Sequence, residues 1–199
     1  MASFYDQLAR LVFGETIFSA QTSHFDSILK DSKVLIVGGG TGWILQQLPE
    51  HCKEVTYVEP SGKMMKIANQ RQGTIPIRFI QKPIQEIHLE NNYDVIITNF
   101  FFDLFDELQG YEIGLMLSGS LKRNGIWIIT DFENGGKWWQ KIMLNLMYFF
   151  FTLATGMGNR DLPEWKGIMS KLKMQQISSN QYFGKFISSI RYQSQKLSV

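Results

Sequence analysis

The chain has 199 residues, of which 44% are hydrophobic, and its formal net charge is only +2. This length supports a single domain over residues 1–199 with a substantial core, and so small a charge gives no indication of a nucleic-acid partner. Cys52 is the only cysteine, which excludes an internal disulfide and favours a reducing, cytoplasmic location.

Neither a targeting segment nor a metal site is predicted. The residues after Met1 lack a basic region followed by a long apolar stretch, so no secretory signal is expected. His51 beside Cys52, with His24 and His88 far away in the chain, does not have the spacing of a zinc ligand set.

Two amphipathic helices are predicted within residues 1–30. Tyr5 lies beside the apolar stripe of the first helix, and His24 precedes Phe25 in the second. Both side chains are candidates for a general base. Each also has a simpler interpretation, because a tyrosine beside an apolar stripe commonly packs, and such a histidine is commonly a surface or hydrogen-bonded core residue.

A glycine-rich turn follows the first predicted strand, residues 33–37, whose apolar run is typical of a strand buried on both faces. The four glycines of this turn are Gly38, Gly39, Gly40 and Gly42. They leave the backbone open to a ligand, and a helix predicted over residues 43–48 would aim its free N–H groups at that ligand. The dinucleotide fingerprint requires a small residue where this chain has Trp43. The alternative is a flexible turn without a ligand.

Glu59 ends the second predicted strand, residues 55–58, and lies twenty-one residues after Gly38. At that place a doubly wound fold carries the acid that accepts hydrogen bonds from both ribose hydroxyls. A carboxylate suits two vicinal donors because it offers two acceptor oxygens in one plane. The alternative is a solvated surface glutamate. Ser61 is predicted to cap the following helix, residues 63–68.

Strands and helices continue to alternate along the rest of the chain. Further strands are predicted at residues 78–81, 93–98 and 125–130, and a hairpin at residues 174–193. This pattern predicts an α/β fold, a doubly wound and mostly parallel seven-stranded sheet with helices on both faces.

The spacing Gly38-x-Gly40-x-Gly42, followed by Glu59, resembles that of class I S-adenosylmethionine (SAM) dependent methyltransferases of the small-molecule type. The resemblance implies SAM as the cofactor, bound by a core of residues 33–131, and an antiparallel last strand within the C-terminal hairpin of residues 173–195. It also implies a helical cover over the SAM pocket from residues 1–30 and an acceptor or lid region at residues 137–172.

The same resemblance assigns roles to individual residues. The glycines would face the methionine part of SAM, Glu59 would hold the ribose, and Pro60 with Met64 would border the adenine. The residues placed at the cofactor are Gly38, Gly39, Gly40, Gly42, Glu59, Pro60, Met64, Pro83, Ile84, Asn99 and Phe100. The chain departs from the family at Ile36 and at Pro83, where relatives usually carry an acid.

The residues after the fourth strand should face the transferred methyl group, because aromatic side chains attract a sulfonium and exclude water. Asn99 resembles the asparagine of methyltransferases that act on nucleobase amines, although both prolines of that motif are missing. Asp103 is predicted first as a helix N-cap and second as a substrate-binding carboxylate. Asp131, at the end of the fifth strand, joins Tyr5 and His24 as a candidate base. Direct displacement needs a base only where the acceptor arrives protonated.

An apolar stretch of thirteen residues, 142–154, follows a segment of lysines and tryptophans at residues 137–141. It is shorter than the roughly twenty residues that span a bilayer. It is predicted to pack on the sheet of its own chain or on a second subunit in a homodimer. The alternative is a lid over an apolar acceptor, in peripheral contact with a membrane.

These observations together predict a SAM-dependent methyltransferase that acts on a small hydrophobic acceptor, with a quinone-like or lipid molecule favoured. Three alternatives are kept open: a SAM-binding protein without catalysis, a nucleobase methyltransferase and an NAD-dependent oxidoreductase.

Overall fold

Seven strands form one mixed sheet in the order β3-β2-β1-β4-β5-β7-β6. The computed structural model describes residues 13–90, 92–133, 138–140 and 164–195. The strands are β1 (Lys33–Val37), β2 (Glu54–Val58), β3 (Ile77–Ile80), β4 (Tyr93–Asn99), β5 (Leu121–Phe132), β6 (Gln175–Tyr182) and β7 (Ile187–Gln193). Strands β1 to β5 pair in parallel, and β7 runs antiparallel to both β5 and β6. The predicted fold class is therefore confirmed, including its antiparallel last strand.

Four helices are described: α1 (Thr16–Thr22), α2 (Gly62–Gln70), α3 (Glu107–Ser120) and α4 (Trp165–Lys171). Ser61 caps α2 as predicted, because its Oγ accepts a hydrogen bond from the N–H of Met64 at 3.4 Å. The N-cap of α3 is Asp106, whose Oδ1 accepts from the N–H of Gln109 at 2.8 Å. The prediction that Asp103 caps this helix was wrong. Asp103 lies in a separate 3-10 turn, after which Phe105 is extended, so the helix begins later.

The helix predicted after the glycines is also corrected. Residues Trp43–Gln47 form a short 3-10 helix that begins after Gly42. Leu48 is extended, as expected for a residue that precedes a proline, so the segment cannot lengthen into an α-helix. A single short helix of this kind has little macrodipole, and the N–H groups of all four glycines already donate within the chain. A ligand over the glycines must therefore be held mainly by side chains and by packing against the backbone.

Apolar side chains cover both faces of the sheet. On β1, Val34 and Ile36 belong to one buried cluster, whereas Leu35 and Val37 belong to another on the opposite face. Five of the eight buried residues in a third cluster are phenylalanines: Phe13, Phe18, Phe100, Phe132 and Phe186. The cluster gathers side chains from α1 and the residues before it, from the carboxyl ends of β4 and β5, and from the start of β7. Its position makes this edge of the sheet both apolar and rich in rings.

The carboxyl ends of β1, β2, β4 and β5 meet at one edge of the sheet, because these strands are parallel neighbours. Gly38, Glu59, Phe100 and Asp131 are therefore brought to the same edge. No helix among the described residues has the length and apolarity needed to cross a membrane. The predicted helix that contains Tyr5 and the apolar stretch 142–154 lie outside the described residues.

Candidate cofactor site

Three of the four glycines in the turn are required by packing within the chain itself. A Cβ at each of these positions would come closer than 3 Å to a neighbouring atom, a distance that real Cβ atoms essentially never show. These contacts are Gly38 with the Phe101 ring at 2.6 Å, Gly39 with the Tyr57 ring at 2.2 Å, and Gly42 with Cβ of Ala68 at 2.7 Å. Because these three glycines have no side chain, the turn can pack closely against β2, α2 and the residues after β4.

Gly40 differs from the other three. A Cβ at Gly40 would meet one atom within 4 Å among the described residues, Sδ of Met64 at 3.8 Å. Its φ of +62° is in the left-handed region that favours glycine. The backbone of Gly40 is thus the part of the turn that has open space in front of it, and the part that a ligand can approach.

Glu59 lies directly beside that open backbone. Its Oε2 accepts a hydrogen bond from the N–H of Gly40 at 2.9 Å, and its Oε1 accepts from the N–H of Ser61 at 2.9 Å. Only 6% of the residue is exposed, so the interpretation as a solvated surface glutamate does not hold. Burial raises the pKa of Glu59 above its ordinary value, and the two N–H groups partly oppose this effect. Each carboxylate oxygen keeps a second lone pair for a ligand hydroxyl.

The residues expected at the adenine surround the same opening to different degrees. Met64, in the first turn of α2, is half-buried and has its sulfur near Gly40. Pro60 and Pro83 are exposed. Ile84 is buried and begins a short 3-10 turn after β3. Met64 is therefore the one of these four whose contact with the glycine turn is direct.

The residues after β4 form a tight turn that packs against the glycines. Phe100 has a φ of +51°, and its ring lies 4.5 Å from that of Phe132. The side-chain nitrogen of Asn99 donates to the carbonyl oxygen of Gln21 at 3.5 Å. Its Oδ1 is buried and has no hydrogen-bond partner within the described residues. A buried acceptor without a donor is costly, and a ligand donor would relieve that cost.

Asp131 holds this turn in place. Its Oδ2 accepts from the N–H groups of Phe101 and Phe102 at 3.3 and 3.0 Å, and its Oδ1 accepts from that of Phe132 at 2.8 Å. The carboxyl group is fully buried, which raises its pKa to about 7. Burial and the charge of Asp131 raise the pKa of the neighbouring Asp103 well above its ordinary value. The two acids therefore form a buried pair that retains a proton more readily than free acids do.

Of the remaining candidate bases, the structure describes His24. His24 is buried, and its Nε2 lies 3.0 Å from the carbonyl oxygen of Ser189 while its Nδ1 lies 3.4 Å from Oγ of Ser178. It is a hydrogen-bonded core residue that joins the chain after α1 to the C-terminal hairpin. Tyr5 falls outside the described residues.

Sequence reasoning missed Tyr57 and Phe101, whose rings pack under Gly39 and Gly38. Tyr57 could have been found from strand periodicity, because it lies two residues before Glu59 and must share its face of β2. Nothing in the sequence pattern distinguishes Phe101 from the two phenylalanines beside it.

Residues 35–129 match a family model described as a methyltransferase domain. This segment is thus similar to methyltransferase domains. The matched segment includes the glycine turn, Glu59 and the turn after β4. The resemblance to SAM-dependent, Rossmann-like methyltransferases, inferred from the glycine spacing and Glu59, is thereby confirmed for this segment.

Individual proteins extend this similarity. Malonyl-[acyl-carrier protein] O-methyltransferase of Bacillus cereus is 31% identical over 102 residues, which cover 50% of this chain and 37% of that protein. Ubiquinone biosynthesis O-methyltransferase of Rickettsia felis is 27% identical over 125 residues, 62% of this chain and 50% of that one. The chain thus spans half or less of the length of these relatives.

A solved structure supports the same architecture. The crystal structure of a SAM dependent methyltransferase from Aquifex aeolicus superposes with a TM-score of 0.66 and 18% sequence identity, covering 97% of this chain and 98% of that one. At this identity the likeness concerns the fold of the methyltransferase domain.

Proposed function

We propose that the protein is a SAM-dependent methyltransferase that transfers a methyl group to a small, apolar acceptor by in-line displacement. The observation that carries this proposal is the open backbone of Gly40 beside the buried carboxylate of Glu59. An adenosyl ligand needs both features, an approachable main chain for its amino-acid part and a paired acceptor for its ribose hydroxyls. The residues present therefore fit the cofactor.

When bound, SAM supplies a methyl group on a sulfonium, which is already activated for transfer. The chain then has to bind and orient SAM and the acceptor and to exclude water. Holding the two reactants in line can lower the barrier by up to about 7–11 kcal/mol. In the proposed arrangement Glu59 accepts the ribose hydroxyls, and Gly40 with Met64 lines the groove. Phe100 and Phe101 exclude water from the transfer. Asp131 keeps the turn that carries these two rings in place.

The cofactor assignment is tested by thermal unfolding with SAM, its demethylated product and NAD. Ligand at about 100 times its dissociation constant adds roughly 2.7 kcal/mol to the free energy of unfolding. For a domain of this size the melting temperature should rise by about 5–11 °C with SAM or its product, and should not rise with NAD. Glu59→Ala should remove most of this rise, because two hydrogen bonds to a charged group are lost.

Glu54→Ala is the matched control. Glu54 lies on the same strand, β2, at its other end, where it pairs with Nζ of Lys33 at 2.9 Å and is far from the glycines. We expect it to keep the full SAM shift. A shift with NAD alone would support the oxidoreductase instead. A SAM shift that survives in Glu59→Ala would mean that the ribose lies elsewhere.

For the acceptor, we propose an apolar molecule that presents a hydroxyl or amine. Support comes from the aromatic cluster at the carboxyl ends of β4 and β5, where the rings of Phe18 and Trp43 lie 4.4 Å apart. Within this apolar setting Oδ1 of Asn99 is a buried acceptor without a donor among the described residues. The relatives named above act, by their names, on a malonyl-[acyl-carrier protein] and in ubiquinone biosynthesis.

Asn99→Ala tests this assignment in transfer assays with labelled SAM and a panel of apolar hydroxyl, amine and carboxylate acceptors. With the acceptor that is methylated, we expect kcat/KM to fall roughly tenfold, since one buried hydrogen bond is lost. SAM affinity should be unchanged.

Asn180→Ala is the control. The side chain of Asn99 contacts Gln21 within α1, and that of Asn180 contacts Oγ of Ser23 directly after α1, but Asn180 lies on the exposed edge strand β6. Equal losses in both variants would exclude a specific role for Asn99. Cofactor binding without turnover on any acceptor would favour a SAM-binding protein without catalysis.

Several further expectations stay predictions: peripheral contact with a lipid surface, a homodimer, the lack of a nucleic-acid partner and a cytoplasmic location. Peripheral membrane contact was predicted for the tryptophans and lysines of residues 137–141. Within this segment Trp138 is 75% exposed. Trp139 packs instead against Phe183 and Phe186 of the C-terminal hairpin.

A further inference from the structure

Tyr57 occupies an unusual place beneath the glycine turn. It lies on β2, is fully buried, and pairs in register with Ile36 of β1. Its ring passes under Gly39 so closely that a Cβ there would be 2.2 to 2.5 Å from three of its atoms. Its hydroxyl donates a hydrogen bond to the carbonyl oxygen of Gly40 at 2.9 Å. The turn therefore rests on this side chain.

Both polar backbone groups of Gly40 are bound by side chains from β2 and the residue directly after it. Glu59, which follows β2, accepts from the N–H of Gly40 at 2.9 Å, and Tyr57 of β2 donates to its C=O at 2.9 Å. The two side chains are two positions apart in extended chain and so point to one face of the sheet. Gly40 is also the glycine with open space in front of it and a φ of +62°. Of the four glycines, the one a ligand can approach is thus fixed at both of its hydrogen-bonding groups.

Fixing Gly40 matters because glycine loses more backbone freedom than any other residue when it is ordered. A turn that is already ordered before a ligand arrives avoids that cost at the moment of binding. Ile36, two residues before the turn, is buried and apolar, and its side chain can neither accept nor donate a hydrogen bond. Tyr57, its cross-strand neighbour, provides a polar group at this place.

We propose that Tyr57 is a positioning residue for the cofactor, whose hydroxyl holds the Gly40 carbonyl so that the turn has its binding conformation before SAM arrives. This inference rests on the proposed function. It concerns affinity for SAM, and it leaves the transfer step to the residues already described.

The test compares Tyr57→Phe with Tyr93→Phe. Tyr93 is also buried in this sheet, and its hydroxyl donates to Oγ1 of Thr56 at 3.1 Å, so Tyr93→Phe removes an equivalent buried hydrogen bond. By isothermal titration calorimetry, we expect Tyr57→Phe to weaken SAM binding about fivefold, which corresponds to roughly 1 kcal/mol. Tyr93→Phe should bind SAM as the wild type does. When the SAM concentration is varied, Tyr57→Phe should show a raised KM for SAM. Its kcat, reached at saturating SAM, should be unchanged.

Hydrogen exchange provides a second readout that does not depend on the ligand. Without SAM, amides of residues 38–42 should exchange faster in Tyr57→Phe than in the wild type or in Tyr93→Phe. Equal SAM affinity in Tyr57→Phe and wild type, or an equal loss in both tyrosine variants, would overturn the proposal. A wild-type protein that does not bind SAM would instead overturn the proposed function, so the two failures are distinguishable.

Discussion

Adding one methyl group at Gly40 is expected to abolish the thermal shift with SAM. In Gly40→Ala the new Cβ enters the space in front of the turn, where a ligand must approach the main chain. The φ of +62° also disfavours alanine, at a cost of roughly 1–2 kcal/mol to the free energy of unfolding. We therefore expect a somewhat lower melting temperature without ligand, and no rise with SAM where the wild type rises by about 5–11 °C.

Gly14→Ala separates the effect of backbone strain on stability from the effect of the new Cβ on SAM binding. Gly14 has nearly the same φ, +61°, and a Cβ there would meet no atom of the described residues within 4 Å. This variant should show a similar loss of stability without ligand, since the backbone strain is equal, while it keeps the full shift with SAM. If Gly40→Ala also keeps the full shift, the open side of Gly40 does not face the cofactor.

The second large effect concerns pH and the buried Asp131. Its pKa is raised from 3.8 to about 7 because burial disfavours the charged form. Between these values the folded state therefore binds more protons than the unfolded state, and stability falls as pH rises from about 4 to about 7. We expect the melting temperature of the wild type to decrease from pH 5 to pH 8.

Asp131→Asn should remove part of this decrease, because the amide does not titrate while the buried Asp103 still does. At pH 5 it should also lower the free energy of unfolding by about 1–3 kcal/mol, since its NH₂ cannot accept from the N–H groups that the carboxyl binds. Melting curves at several pH values in constant salt measure both effects. If the turn after β4 helps to hold SAM, as proposed above, the SAM shift should decrease as well.

Asp103→Asn is the matched control for this pair. Asp103 is equally buried, and its pKa is held well above the ordinary value by burial and by the charge of Asp131. With Asp103 replaced, Asp131 should still titrate from its buried position, and much of the decrease with pH should persist. A pH profile that is unchanged in Asp131→Asn would show that another group is responsible.

Predictions based on local patterns agreed well with the structure. The apolar run at residues 33–37 is a central strand buried on both faces, and Ser61 caps α2. Glu59 ends β2 and lies against the glycine turn. Each of these features is encoded within a few neighbouring residues, by periodicity, by a polar cap or by spacing from the glycines. The parallel pairing of β1 to β5 followed from the same alternation of strands and helices, because right-handed crossovers leave few arrangements.

Predictions that depend on contacts between distant parts of the chain were wrong or were not made. Asp103 was expected to cap a helix, but the cap is Asp106 and Asp103 is buried beside Asp131, twenty-eight residues away. The helix expected after the glycines is a short 3-10 segment, because the buried turn and the following proline restrict it. Neither result could be read from local preference, since packing decides where a helix begins.

The amino-acid pattern alone was sufficient for the fold class, the glycine turn and the acid that lies beside this turn. These features depend on residue type and on separation along the chain. The tertiary structure decided at which of the four glycines a Cβ would meet no close neighbour among the described residues, which side chain supports it, and that two acids share a buried site. Those properties depend on which atoms from distant segments fill each space. Close packing admits only one arrangement there, and no local pattern records it.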